Sequence, residues 1–283
     1  MHFLKLAELV VKLVLPWVVL TAADGVSFAQ YPWLADQANS RPSIPDRVAP
    51  PSGYTKVPVQ EGSFGEWLRG LPLKPPGWQV HLFNGGLKKN QSAHIEVVDL
   101  DVIQFQECAD SIIRLRAEFL WVKGAQGRIC FKFTNGEMSY WNRWQAGWRP
   151  LIKGGRVEWE KTAAEDNSRK SFREYLRKVF EFAGTLSLQK ELMPVSVRDL
   201  EVGDVIVEGG SPGHAVLIVD AAENPNQGRL DLLGQGFMPA QEFSILVNPG
   251  CSATSPWYEV SSSGNIHTPE WNFKRPFFGR FRE

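Results

Sequence analysis

Apolar and polar positions recur along this chain with two periods, and the switches between them mark out its elements. From Glu107 to about Val122, Cys108, Ile112, Leu115, Phe119 and Val122 step by four, three, four and three. That spacing predicts an amphipathic helix, with Arg114, Arg116 and Glu118 off the stripe. A second helix is predicted over 168–183: Ser168 caps it, Phe172, Leu176, Val179, Phe180 and Ala183 form its stripe, and Gly184 ends it. Shorter helices are expected at Ser63–Leu68, stopped by Pro72, and across Trp141, Trp144 and Trp148, closed by Pro150. Strands are expected at Val80–Phe83, His94–Val102, Gly127–Phe133 and Gly155–Lys161.

The stretch that organises the rest begins at Gly203-Asp204. Val205–Val207 reads as a short strand and Gly209-Gly210-Ser211-Pro212-Gly213 as a tight loop. His214–Val219 is then a β-branched apolar strand, uniform enough to be buried on both faces. A further strand, Arg229–Gly234, leads into Gln235. If residues 221–228 form the loop of an antiparallel hairpin, Asp220 faces Arg229 and His214 faces Gln235.

The ends of the chain read differently. Lys5 and Lys12 precede an apolar run, Leu13–Ala23, which as a helix spans about 16 Å against a bilayer core of about 30 Å. With Val26-Ser27-Phe28-Ala29 behind it, residues 1–29 are expected to be an export signal, cleaved after Ala29 or Ala23. An uncleaved anchor is the alternative if the run starts at Leu9. Residues 30–52, with five prolines, are expected to be a linker, leaving 53–283 as one domain, periplasmic or extracellular. Basic and acidic residues balance at 31 each with no basic stripe, so nucleic acid is not an expected partner.

Three groups are candidates for chemistry. Cys108 falls in the first turn of its helix, where free N–H groups favour thiolate, although Asp110 opposes it. It can equally be a small core residue continuing the stripe. His214 opens a buried strand beside a glycine; it is either a satisfied core histidine or a general base. An imidazole acting as base needs a third group to fix its tautomer, and Gln235 is the candidate. Asp220 lies about 20 Å along the same strand and is excluded. Gln104 or Gln106 is a conceivable oxyanion donor. Trp141, Trp144, Ser211 and Gly213 are candidates for holding substrate, Trp141 and Trp144 with core filling as the alternative. No cofactor is expected, and the five histidines show no metal spacing, with His94 and His214 the one pairing left open. Three cysteines leave at least one thiol free, and Cys130 with Cys251 is a possible pair.

The order of these motifs resembles the NlpC/P60 cell-wall peptidases and amidases of the papain-like group. There a cysteine opens a helix, a Gly-Asp pair leads a short strand, and a histidine begins the next strand ahead of a third polar residue. Glu107-Cys108-Ala109-Asp110, Gly203-Asp204, His214 and Gln235 follow that order, without the Ser-Gly that usually follows the cysteine and with a long Trp-rich insertion. The resemblance implies an α+β fold, a papain-like antiparallel sheet packed on the cysteine-bearing helix, and a thiol hydrolase acting on a peptide or glycan of the cell envelope, with Cys108 as nucleophile, His214 as base and Gln235 as orienting group. A non-catalytic envelope-binding module of the same fold is the alternative. Over about residues 53–275 the chain resembles the bacterial domain-of-unknown-function 4846 family. The segments that carry this are Gln106–Leu120, Gly184–Leu192, Gly209–Asp220 and Met238-Pro239-Ala240-Gln241. That second resemblance implies no activity.

Overall fold

A computed structural model describes residues 30–34, 41–261 and 265–282. The expected export signal lies outside the described residues. Among the described residues there are six α-helices: α1 (Ile44–Arg47), α2 (Phe64–Arg69), α3 (Cys108–Val122), α4 (Trp141–Gln145), α5 (Arg169–Phe182) and α6 (Thr185–Glu191). The Ser168 hydroxyl accepts from the Ser171 N–H, the cap expected there, and the Ser63 hydroxyl likewise accepts from the Glu66 N–H at the start of α2. Gly184 ends α5 but is also the residue from which α6 starts, a helix that its mixed Thr-Leu-Ser-Leu pattern hides.

Nine strands form one antiparallel sheet: β1 (Thr55–Lys56), β2 (His94–Val97), β3 (Met193–Pro194), β4 (Val205–Glu208), β5 (His214–Asn224), β6 (Gly228–Gln235), β7 (Ser244–Leu246), β8 (Trp257–Tyr258) and β9 (Phe277–Arg280). The order is β2-β7-β6-β5-β4-β9-β3, with β1 beside β5 and β8 beside β6. The mixed α+β class with an antiparallel sheet is therefore as expected.

Burial explains the apolar run of β5. Ala215, Leu217 and Val219 face a large core with α2, α3, α5 and α6, and Val216 and Ile218 face a second cluster with Leu233, Tyr258 and Phe273. A strand covered on both sides has no polar face to show.

Three expectations need correction. The described parts of the expected linker, residues 30–34 and 41–52, are not free: Tyr31, Ile44 and Val48 are buried in the main core, and Ser43 bridges Pro72. Proline density discourages long elements, but it does not stop apolar residues between the prolines from packing. Pro150 does not close a helix; it lies in an edge hairpin, Trp148–Lys153 against Arg156–Lys161, where a missing N–H can be tolerated. The β5–β6 register also differs. The turn is tighter than supposed, so Arg229 faces Glu223 and Leu232 faces Asp220. A bulge then skips Val219, and Leu233 faces Ile218 and Gly234 faces Leu217.

Candidate active site

That bulge decides where Gln235 points. Without it, the register at Arg229 and Leu232 would put Gln235 opposite Leu217, on the sheet face away from His214. With it, Gln235 falls opposite Val216, two residues from His214 and on the same face. A long side chain reaches such a diagonal neighbour. The His214 Nε2 and Gln235 Oε1 atoms are 2.7 Å apart. The expected contact is made by a different register from the expected one.

The hydrogen bonds around Gln235 settle its orientation. Its Nε2 donates to Glu270 Oε2 at 2.8 Å, and the Lys88 ammonium donates to the same oxygen at 2.6 Å. The Gln235 oxygen therefore faces the imidazole and must accept, so His214 carries its proton on Nε2 and Nδ1 is the basic nitrogen. Lys88, Glu270 and Gln235 form a chain that ends on His214. Sequence reasoning missed Glu270 and Lys88. Glu270 sits in an irregular segment, Thr268-Pro269-Glu270-Trp271, with no periodicity to place it.

The imidazole is almost wholly buried at 1% exposure, its ring centroid 5.0 Å from Phe237, 5.5 Å from Trp271 and 5.7 Å from Phe273. Burial lowers its pKa to about 4; the Gln235 bond pulls the other way, and Lys88 adds to the lowering. His214 is thus neutral at pH 7.

Cys108 is the first residue of α3, half-buried. The backbone N–H of Ala215, the residue after His214, points at its thiol, as does that of Ala109. Burial and then the Asp110 carboxyl push the thiol up to about 12, against those two N–H groups. Asp110 is itself pushed well up by burial; its Oδ2 accepts the Glu107 N–H, and its Oδ1 has no partner among the described residues. The resting site therefore holds a neutral thiol and a neutral imidazole. The helix N-terminus alone does not make a thiolate, because desolvation outweighs it here. Among the described residues no hydrogen bond joins Sγ to the imidazole: α3 packs on the Ala215 face of β5, whereas the His214 ring belongs to the opposite face. The two meet at the end of the strand, where one cavity of about 390 Å³ is open to both.

Ser211 and Gly213 line that cavity too. A Cβ on Gly213 would lie 2.4 Å from Thr185 Oγ1 and 2.7 Å from Glu208 O, so the chain entering His214 has no room for a side chain. The Gly209 N–H is held by Gln189 Oε1 and that of Gly210 by Thr185 Oγ1, which fixes the loop on α6 and leaves neither amide free for an anion. Trp141 and Trp144 do not hold substrate here: they are 1% and 5% exposed, both packed on Tyr175 and Trp141 also on Phe172, and contribute nothing to the cavity wall. Gln106 is also core, its oxygen accepting from Arg114 beneath α3, and Gln104 is exposed away from the lining. All three cysteines are free thiols. Among the described residues no group of three or more His, Cys, Asp or Glu side chains is placed to hold a metal, and no helix is long and apolar enough to cross a membrane.

Phe105 is the strained residue at this site. Its φ is 71°, the one non-glycine in the left-handed region among the described residues, and its ring lines the cavity at 40% exposure. For an aromatic residue that conformation costs on the order of 1–3 kcal/mol. The Phe105 carbonyl accepts the Glu107 N–H at 2.9 Å, which ties the turn to the start of α3.

Fold and cavity together define an α+β domain whose antiparallel sheet brings a cysteine, a histidine and a glutamine to one end. The chain belongs to the family described as domain of unknown function (4846), whose model matches residues 44–280. No curated protein and no solved structure matches it.

Proposed function

We propose that this protein is an exported thiol hydrolase of papain-like arrangement, cutting an amide or peptide bond in the cell envelope. One observation carries the reading: Cys108 and His214 open into one cavity, with His214 Nε2 committed to Gln235 and Nδ1 left as the proton acceptor. Nδ1 takes the proton from Cys108 Sγ, and the sulfur attacks the carbonyl carbon. The proton passes to the leaving amine as the C–N bond breaks. Water, deprotonated by the same Nδ1, then cleaves the thioester and releases the acid and the free thiol. Gln235 holds the ring in the required tautomer, and Glu270 holds Gln235.

A second reading has its own support. The thiol is raised and not lowered, and the Sγ–imidazole bond is not formed at rest. Both fit an envelope-binding module that kept the fold without the reaction. Acylation of Cys108 by p-nitrophenyl acetate, located by peptide mapping in wild type and in His214→Ala, separates the two. A hydrolase forms the thioester and depends on His214; a binding module does neither.

A further inference from the structure

One side of the cavity wall is apolar, built from Phe105, Phe180, Ala183, Phe237, Met238 and Trp271, beside the polar Glu107, Asp110, Glu181, Thr185 and Ser211. Two of the apolar residues stand out in solvent, Phe105 at 40% and Met238 at 62% exposure. Solvating a phenyl ring and a thioether at one mouth leaves apolar surface with no covering element among the described residues. Phe105 adds a second argument. A glycine would take its φ of 71° without strain, yet the position carries the largest side chain of its loop. The ring is thus kept against a backbone preference.

Charge narrows the ligand. No Lys or Arg lines the cavity. Three carboxyl groups line it: Glu181 is paired with Arg177 at 2.8 Å and Lys178 at 2.5 Å, whereas Glu107 and Asp110 have no ion pair among the described residues. An anionic group entering beside Cys108 would meet Glu107 with no cation to offset it.

We propose that the cavity seats an uncharged acyl group carrying an aromatic or large aliphatic side chain, packed between Phe105 and Met238 beside Cys108. This names the substrate class for the hydrolase reading and rests on it for the bond that is cut. Seating itself does not need the thiol to react. An apolar side chain gains by leaving water for the Phe105 and Met238 surfaces, and the flexible thioether can close over ligands of different shape.

The test uses the protein labelled with ¹³C at its methionine methyls, with Met138 and Met193 as internal controls. N-acetylphenylalaninamide and N-acetylleucinamide are titrated against the N-acetyl amide of aspartate. The Met238 methyl signal should move saturably with the first two, with at least about tenfold tighter binding than the third, a difference of about 1.4 kcal/mol. Phe105→Gly should weaken the phenylalanine ligand about tenfold without lowering the melting temperature, because the glycine relieves the backbone. A Met238 signal that ignores both apolar amides, or responds equally to aspartate, overturns the proposal. Acylation of Cys108 is read separately. A shift without acylation leaves the binding class standing and removes the hydrolase; acylation without a shift does the reverse.

Discussion

Glu270 touches neither Cys108 nor His214, yet it decides which end of the Gln235 amide meets the imidazole. Its carboxylate can only accept, so it takes the Gln235 N–H and turns the oxygen toward His214. Glu270→Gln gives that position a donor as well, and the Gln235 amide can then flip. The expected result is at least a tenfold slower acylation of Cys108, with the histidine tautomer ratio changed in ¹⁵N spectra. A merely structural role would lower stability and leave the tautomer alone. At this scale the sequence was partly legible. His214 stood out because a charged-capable ring opened a uniformly apolar strand, and Cys108 because it fell on a helical stripe. Glu270 was illegible, since its contact spans 35 residues and rests on no local period.

Elements are placed by two backbone features that the sequence shows only in outline. The skipped residue at Val219 sets the parity of β6, and hence the face on which Gln235 emerges. A bulge inside an apolar run leaves no compositional mark, because the extra residue is as apolar as its neighbours. Helix α3 then lies directly on the end of β6. A Cβ on Gly236 would sit 2.2 Å from Ser111 Oγ and 2.9 Å from Glu107 O, so only glycine lets the strand end reach the first turn of the helix. Gly236→Ala is expected to push that turn away and destabilise the fold by about 1–3 kcal/mol, as overpacking does. Chemical denaturation measures the loss. Cys108 should at the same time become more reactive to iodoacetamide, because an opened first turn admits water to the thiol. An unchanged denaturation midpoint would mean that the helix is not seated there.

The whole molecule couples its stability to the protonation of His214. The ring is neutral when folded, with its pKa lowered from 6.5 to about 4 by burial. The folded state therefore binds the proton less well than the unfolded chain. The resulting stability is fully present above pH 6.5 and is lost as pH falls toward 4. The shift corresponds to about 3 kcal/mol. Urea unfolding of wild type and His214→Phe should show this: the wild type loses more stability than the variant between pH 6.5 and 4, and the two curves run parallel above pH 7. Parallel curves throughout would mean that the ring is not desolvated. The helix stripes were legible from their period, and the two central strands from their β-branched apolar runs. The burial of Tyr31, Ile44 and Val48 in a proline-rich segment, and the core placement of Trp141 and Trp144, were not: composition records how apolar a residue is, not which surface it finds.

The proposed hydrolase rests on a neutral thiol and a neutral imidazole at the end of β5 acting as nucleophile and base. The rate of Cys108 acylation by p-nitrophenyl acetate in the folded protein between pH 5 and 9, in wild type and His214→Ala, reads this directly. Acylation at pH 7 to 8 is expected to fall by on the order of 100-fold in the variant, as loss of a general base does. No separate reactive phase is expected below neutral pH, because no thiolate–imidazolium pair exists at rest. A Cys108 that stays unmodified until the protein unfolds, or that is acylated at the wild-type rate without His214, would contradict the hydrolase reading.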